Sequence, residues 1–399
     1  MTAPATSEIQ GECDPRFAAV REAFETNFAE HAEVGAAVAV TVNGEAVVDL
    51  WGGLATREPE RAWERDTIVN VWSTTKGMTA ICAHMLADRG LLDYDAPVAQ
   101  YWPEFAQQGK ESLPVRWLLS HQAGLVGVDA ELGEGDAQNW ETMTSALAAT
   151  KPQWEPGTKN GYHMITFGWL VGEVVRRVSG ADSLGSFFRE EVAEPLGIDF
   201  FIGTPASEDH RIAEIISPQR NVLGGDPPED PDSPFARELT QRSLIPASAR
   251  VAGHPNSRGW RAAEIPGANG HGNARALARM YGALSRGGEI DGVRLMSAER
   301  VDIAREIQVD SADEILGMRT RRSLGFMHPV EEQGDVRGPQ AFGHNGAGGS
   351  SGWADPEHRI GFGYVMGQMW DGGLMTPDPR AQALAGAVYR SLGVERPEA

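Results

Sequence analysis

Lysine, cysteine and long apolar or basic runs are scarce in this sequence. Only four of its 35 basic residues are lysine, at positions 76, 110, 151 and 159, and two of its 399 residues are cysteine. Cys13 lies in a polar stretch and Cys82 in an apolar helical run. Two cysteines supply neither a disulfide framework nor a metal site, so we interpret both as reduced thiols.

Basic residues are also much fewer than acidic ones. Acidic residues number 56, and the formal net charge is −21. Such a chain repels phosphate backbones and anionic membranes, and no Lys/Arg-rich run offsets that repulsion. No window reaches the roughly 18 apolar residues of a membrane span, and the first residues lack a basic segment followed by an apolar run. We therefore expect a cytoplasmic protein that binds neither nucleic acid nor membrane.

Strand signals are concentrated near the two ends of the chain. Two valine-rich runs flank Asn43-Gly44, a dipeptide that readily adopts the positive φ of a tight turn, and predict antiparallel strands over residues 36–51. The stretch FGHNGAGGSSGWADPEHRIGFGYVMGQMW predicts further strands around a DPEH turn. Helices are predicted over residues 15–32 and 378–391, outside these strands.

Helical patterns fill the middle of the chain. They run from residue 74 to 89 and continue to about residue 200, broken by PG and GL. Residues 217–270 are rich in Pro, Gly and Asp and too long for a simple connector, which predicts a functional surface loop. A further helix, residues 274–286, is predicted to be capped by Asn273.

This order of elements predicts an α/β fold. Residues 1–75 and 272–399 would form a discontinuous domain with an antiparallel sheet flanked by the terminal helices. Residues 76–271 would form an inserted, largely α-helical lobe that includes the long loop.

Ser73 and Lys76, in VWSTTKGM, are the first candidates for chemistry. A serine hydroxyl keeps its proton at neutral pH, so a nucleophilic serine needs a base within hydrogen-bond reach. Three residues along a helix make about one turn, so the amine of Lys76 can approach the Ser73 oxygen. Backbone N–H groups at the start of the helix would favour developing negative charge. The pair predicts an acyl-transfer site.

The same four residues also fit a helix cap followed by a solvated lysine. The scarcity of lysine favours the catalytic interpretation. Arginine does not give up its proton in a protein, whereas a desolvated lysine or one near another cation does, so a base position is one that arginine cannot fill.

Two further motifs follow Ser73-Thr74-Thr75-Lys76 in the chain. Pro156-Gly157-Thr158 precedes Tyr162, and Gly343-His344-Asn345-Gly346 lies on a predicted strand. With these motifs the sequence resembles the serine β-lactamase and penicillin-binding-protein superfamily, and within it the family VIII carboxylesterases related to class C β-lactamases. The resemblance covers roughly residues 20–392 and implies a β-lactamase-like fold.

The resemblance also implies roles for residues. Ser73 would be the acylated nucleophile, and Lys76 and Tyr162 would share the proton transfers, with Tyr162 taking the serine proton. The oxyanion hole would combine the N–H groups of Ser73 and Ala347. The third motif, with His344, Asn345 and Gly346, would contact the substrate, and no cofactor or metal is implied.

Two departures from the lactamase pattern affect the choice of substrate. Met164 stands where class C lactamases have the asparagine that binds the amide side chain of the β-lactam. His344 stands where they have the lysine that helps recognise the carboxylate of the drug. Both changes remove polar recognition of a β-lactam, so the resemblance favours a serine esterase acting on small to medium carboxylic esters.

Other functions remain open at this point. Within the superfamily they are a β-lactamase, a D-amino-acid peptidase, an amide hydrolase and an acyltransferase, and outside it a non-catalytic ligand-binding scaffold. GGSSG around Ser350 matches the nucleophile elbow Gly-x-Ser-x-Gly, but the next histidine, His358, follows too closely for a triad. The ten histidines show no HExxH spacing, so a zinc site is disfavoured. The sequence does not indicate which oligomeric state the protein adopts.

Overall fold

A computed structural model describes residues 8–217, 254–372 and 377–397. Most of the predicted surface loop, residues 218–253, lies outside the described residues. The strands of the described part are β1 (Gln10–Cys13), β2 (Gly35–Val42), β3 (Glu45–Arg57), β4 (Glu60–Ala62), β5 (Val69–Asn70), β6 (Phe200–Phe201), β7 (His271–Gly272), β8 (Glu289–Ile290), β9 (Val293–Arg294), β10 (Val309–Ala312), β11 (Arg319–Arg322), β12 (Phe342–Asn345), β13 (Ser351–Asp355) and β14 (Ile360–Met366).

The helices lie between and outside these strands. They are α1 (Ala18–Glu30), α2 (Thr75–Asp88), α3 (Val98–Tyr101), α4 (Val115–Leu119), α5 (Trp140–Ala149), α6 (Thr166–Ser179), α7 (Leu184–Phe188), α8 (Glu194–Leu196), α9 (Arg258–Ala262), α10 (Ala274–Ser285), α11 (Ala298–Ala304) and α12 (Pro379–Ser391). Within the described ranges, none of these helices has the length and apolar character needed to cross a membrane.

The main sheet joins strands from the two ends of the chain. Its order is β1-β3-β2-β14-β13-β12, with β4 added beside β3, and every pairing is antiparallel. Asn43 and Gly44 both have positive φ, 54° and 89°, in the turn between β2 and β3. The predicted antiparallel sheet and its first hairpin are therefore confirmed.

Helix α10 lies on one face of this sheet, against β2, β13 and β14. Glycines in β14 allow the close contact: a Cβ on Gly361 would lie 2.3 Å from the carbonyl oxygen of Ala278, and one on Gly363 would lie 2.2 Å from that of Ala274. The side chain of Asn273 accepts a hydrogen bond from the N–H of Ala276 and caps the helix, as predicted.

Helices α1 and α12 pack against each other as the terminal pair. The ring of Trp353 on β13 stacks on Tyr389 of α12, with centroids 5.9 Å apart, and on Phe362 of β14 at 4.9 Å. On the opposite face of the sheet, Gly352 of β13 is paired with Gly363 of β14, and both glycines lie against α10. The period-two alternation of β13 and β14 therefore separates two helical layers, and the predicted α/β class is confirmed.

The helical region surrounds α2, whose residues from Thr75 to Ala87 are all buried. Helices α6 and α7 pack against it. Hydrophobic side chains of this region and of the sheet region belong to one continuous buried cluster. The division into residues 1–75 with 272–399 and residues 76–271 stays a prediction.

The end of the predicted surface loop, residues 254–270, differs from that expectation. It contains α9, and Trp260 and Ile265 belong to the core. The indole of Trp260 donates to Asn70, and Asn269 binds three main-chain groups of the same segment. Pro and Gly in this segment make buried turns that reach the candidate site, which composition alone does not distinguish from exposed turns.

Candidate active site

Ser73 lies at the entrance to the central helix. It is the middle residue of a single 3-10 turn, Trp72–Thr74, that leads directly into α2. Trp72 has φ 47°, a left-handed conformation that non-glycine residues rarely adopt and that often occurs beside functional groups. This turn places Ser73 on the wall of a cavity, while the helix behind it is buried.

Lys76 has a fully buried side chain whose amine has three partners. Its Nζ lies 3.1 Å from Ser73 Oγ, 2.6 Å from the carbonyl oxygen of Met164 and 2.7 Å from that of Gly267. Burial, and secondly the positive charge of Arg322, hold the pKa of Lys76 well below its ordinary value. A neutral amine is therefore favoured at this position.

The three partners suit a neutral amine that accepts a proton. Two N–H groups of –NH₂ satisfy the two main-chain carbonyls, and the lone pair is left for the hydroxyl proton of Ser73. Such a contact between an amine and a serine hydroxyl can serve nucleophilic catalysis.

Tyr162 lies on the other side of the serine. Its hydroxyl is hydrogen bonded to Ser73, and its ring centroid is 4.9 Å from Lys76 Nζ. Burial raises the pKa of Tyr162 to about 12, against the opposing effects of that hydrogen bond and of Arg322. Burial thus favours the neutral phenol of Tyr162, whereas Lys76 is favoured as a neutral amine with a free lone pair.

Arg322 and Asp313 form a buried ion pair behind Tyr162 that the sequence motifs did not indicate. Arg322 Nη1 lies 2.6 Å from Asp313 Oδ2, and both side chains are almost fully buried. The guanidinium carbon is 4.9 Å from the ring centroid of Tyr162. Asp313 Oδ1 also accepts the main-chain N–H of Tyr162 at 3.1 Å. The pair therefore holds both the ring and the backbone of Tyr162.

The third motif forms β12 and the turn after it. Asn345, Gly346 and Ala347 line the same cavity as Ser73 and Tyr162. The side-chain oxygen of Asn345 accepts from Ser351 Oγ at 2.8 Å, which fixes the orientation of its amide. The structure thus brings these residues together with Ser73, and their contact with substrate stays a prediction.

His344 lies behind the cavity wall. Its side chain is 1 % exposed, its Nδ1 is 2.7 Å from the carbonyl oxygen of Asn345, and its ring centroid is 6.1 Å from that of Tyr162. Burial, and then the charge of Lys76, hold the pKa of His344 well below its ordinary value. His344 thus packs against Tyr162 as a neutral ring, and its predicted contact with substrate stays a prediction.

Ser350 is part of the framework of the site. Its Oγ is fully buried, donates to the carbonyl oxygen of Val71 at 2.7 Å and lies 3.1 Å from Thr74 Oγ1. It thus joins the turn after β12 to the turn that carries Ser73. Its hydroxyl does not reach the cavity.

The cavity has a volume of about 1080 Å³, including its open mouth. Apolar side chains cover much of its wall, with Leu316, Met318, Met327, Val330 and Trp370 among them. Met164, by contrast, contributes its carbonyl to Lys76 and has a buried side chain. An apolar acyl or alcohol group therefore has room beside Ser73.

The histidines near the site are structural in their contacts. His163 Nε2 accepts the N–H of Leu125 at 3.1 Å, and the N–H of His163 donates to His121 Nδ1 at 3.0 Å. One group in the described ranges has metal-ligand proximity, Asp355 with Glu357 and His358. The Asp355 carboxylate there already accepts from Tyr389 at 2.7 Å, in the turn between β13 and β14.

Comparisons with known proteins extend over nearly the whole chain. The family model described as Beta-lactamase matches residues 20–387. The "Esterase/beta-lactamase LipL" of Mycobacterium tuberculosis (strain ATCC 25618 / H37Rv) is 39 % identical over 92 % of this chain and 85 % of its own length.

Two solved structures are also similar. The crystal structure of a family VIII carboxylesterase has a TM-score of 0.85 and 44 % identity, covering 96 % of this chain and 100 % of that one. A penicillin-binding-protein homolog from Caulobacter crescentus has a TM-score of 0.87 and 39 % identity, with the same coverage.

Proposed function

The chain belongs to the Beta-lactamase family and is a serine ester hydrolase of that superfamily, and we propose that Ser73, Lys76 and Tyr162 carry its chemistry. The resemblance drawn from the sequence to family VIII carboxylesterases is confirmed. The substrate class is a small-molecule carboxylic ester, and a cytoplasmic location stays a prediction.

In the proposed reaction, Lys76 Nζ accepts the proton of Ser73 as Oγ attacks the ester carbonyl carbon. The N–H groups of Ser73 and Ala347 stabilise the oxyanion. Collapse of the tetrahedral intermediate breaks the bond between the carbonyl carbon and the oxygen of the alcohol group, which leaves as an alkoxide. The Tyr162 hydroxyl gives that alkoxide its proton and recovers one from Lys76. Water then attacks the acyl-enzyme, with the same groups moving the proton in reverse, and releases the acid.

One observation carries this proposal. The three contacts of Lys76 Nζ, with two carbonyls and Ser73 Oγ, leave the lone pair of a neutral amine available to the nucleophile. A lysine that served only as a solvated helix residue would be exposed, and this one is 0 % exposed. The contacts therefore favour catalysis over the helix-cap interpretation and over a non-catalytic scaffold.

Active-site labelling tests the proposal. A serine-directed phosphonate should add one adduct, located on Ser73 by mass spectrometry, and Ser73→Ala should abolish it. Ser350→Ala is the matched control, because it removes a serine hydroxyl that lies outside the cavity, and it should still be labelled. An adduct on Ser350 or none at all would contradict the assignment.

Amide chemistry is the second candidate, since the Mycobacterium tuberculosis relative is named an esterase/beta-lactamase. Turnover of p-nitrophenyl butyrate, a chromogenic cephalosporin and a D-alanyl amide on one preparation compares the candidates directly. We expect the ester to have the highest kcat/KM, because Met164 and His344 offer no polar side-chain contact at the cavity wall. Product partitioning with an added alcohol tests acyl transfer.

A further inference from the structure

We propose that Arg322, held by Asp313, is a positioning residue that favours the neutral amine form of Lys76 until Ser73 attacks. This inference rests on the proposed roles of Ser73, Lys76 and Tyr162. Arg322 does not itself line the cavity, and its guanidinium contacts the ring of Tyr162, so it acts through Tyr162 and Lys76.

The positive charge of Arg322 is permanent and buried. A guanidinium stays protonated in proteins, and this one, at the end of β11, is 1 % exposed. Its Nη1 is bonded to Asp313, whereas Nε and Nη2 have no partner among the residues that the structure describes. Low dielectric surroundings strengthen the effect of such a charge on its neighbours.

The ion pair is asymmetric. Asp313 Oδ1 accepts three main-chain N–H groups, those of Tyr162, Ile315 and Leu316, while Oδ2 takes Arg322. The carboxylate is therefore well compensated. The guanidinium has one strong acceptor, and its carbon lies 4.9 Å from the ring centroid of Tyr162. Lys76 Nζ lies at the same distance from that centroid, so the two basic groups share Tyr162 as a neighbour.

Two positive charges close together repel each other, and this selects the protonation state of Lys76. Arg322 is the charged group that opposes protonation of Lys76. The other titratable groups around the site, namely His121, His163, His344 and Tyr162, are buried, and burial favours their neutral forms. Once Lys76 takes the serine proton, the same repulsion favours passing it on to the leaving alkoxide.

The test is the pH dependence of Ser73 labelling by the phosphonate, which isolates the first proton transfer. The double variant Arg322→Met/Asp313→Asn removes both charges, and the asparagine oxygen can still accept the three N–H groups. The acid limb of its profile of labelling rate against pH should move to higher pH by about one unit. Arg322→Lys keeps the charge and should leave the limb near that of the wild type.

Asp313→Asn alone keeps Arg322 and removes its counter-charge, so its acid limb should move to lower pH. Arg211→Met/Asp199→Asn is the control, because it removes an Arg–Asp ion pair, joined by two hydrogen bonds, whose residues do not line the cavity. Its labelling profile should not shift.

Opposite shifts in the double variant and in Asp313→Asn would establish the role. Slower labelling at every pH with an unmoved limb would overturn it, as would shifts in the same direction. These results remain interpretable if the double variant does not fold, because Asp313→Asn and Arg322→Lys still test the sign. Failure of the wild-type protein to label on Ser73 would instead count against the proposed function.

Discussion

Gly349 offers a sharp test of the proposed oxyanion hole. It ends the turn that begins with Ala347 and has φ 120°, a conformation that favours glycine. A Cβ at this position would lie 1.9 Å from Asp378 Oδ2. Gly349→Ala therefore forces either the turn or the Asp378 carboxylate to move.

The carboxylate is the more firmly held of the two. Asp378 caps α12 by accepting the N–H of Arg380 at 2.9 Å, and it also binds Arg380 Nη2 at 2.7 Å. Since Cβ atoms essentially never come within 3.0 Å of such neighbours, the turn must shift by about 1 Å. A displacement of this size, or loss of one oxyanion donor, costs on the order of 10²–10³-fold in kcat, about 3–4 kcal/mol.

The assay is kcat on p-nitrophenyl butyrate, with urea unfolding to measure the folded fraction. Gly180→Ala is the control, because Gly180 has φ 72° at the end of α6 and no atom within 4 Å of a Cβ. It should lose about 1 kcal/mol of stability and keep its kcat. A folded Gly349→Ala with kcat within a few-fold of wild type would refute the assignment of this turn to the oxyanion hole.

Two further predictions follow from buried charges. Lys76→Arg should lower kcat as much as Lys76→Ala, roughly 10²–10⁴-fold, because a guanidinium cannot accept the Ser73 proton; an active arginine variant would exclude the base role. Burial raises the pKa of Glu33 to about 7, against the charge of Arg380, so between pH 4.5 and 7 the folded state holds a proton that the unfolded state has lost. The contribution of Glu33 to the free energy of unfolding should therefore fall by about 3 kcal/mol as the pH rises through this window. Urea unfolding should show it as a loss of wild-type stability relative to Glu33→Gln, because the buried histidines titrate alike in both proteins.

Much of the fold could be predicted because its signals are local. Asn43-Gly44 fixes a hairpin, Asn273 caps a helix, and alternation along β13 and β14 separates two faces, each within a few neighbouring residues. Residues 254–270 differ from the predicted surface loop because Pro and Gly indicate turns without indicating burial. Ile265 and Trp260 in this segment are core residues, and Gly267 supplies a carbonyl to Lys76.

In the site, too, contacts between residues near each other in the chain could be predicted, and contacts between distant residues could not. Ser73 and Lys76 are one helical turn apart, so their contact could be predicted from spacing. Arg322 and Asp313 come together with Tyr162 through a chain separation of more than 150 residues. No short pattern marks them, and their partnership depends on where β11 lies beside the Tyr162 loop.

The scarcity of lysine, by itself, does not identify a base, as Lys110 shows. Lys110 is also 0 % exposed, and its Nζ also donates to two main-chain carbonyls, those of Ala148 and Thr150. Burial lowers its pKa to about 8, but its charged neighbours Glu111 and Asp129 act in the opposite direction. There the ammonium is favoured, and it satisfies carbonyls at the end of α5. Lys76 differs in having a serine hydroxyl as third partner and a cation, Arg322, as its charged neighbour. The third partner and the sign of the neighbouring charge, together with burial, therefore separate a lysine that holds a helix end from one placed to accept a proton.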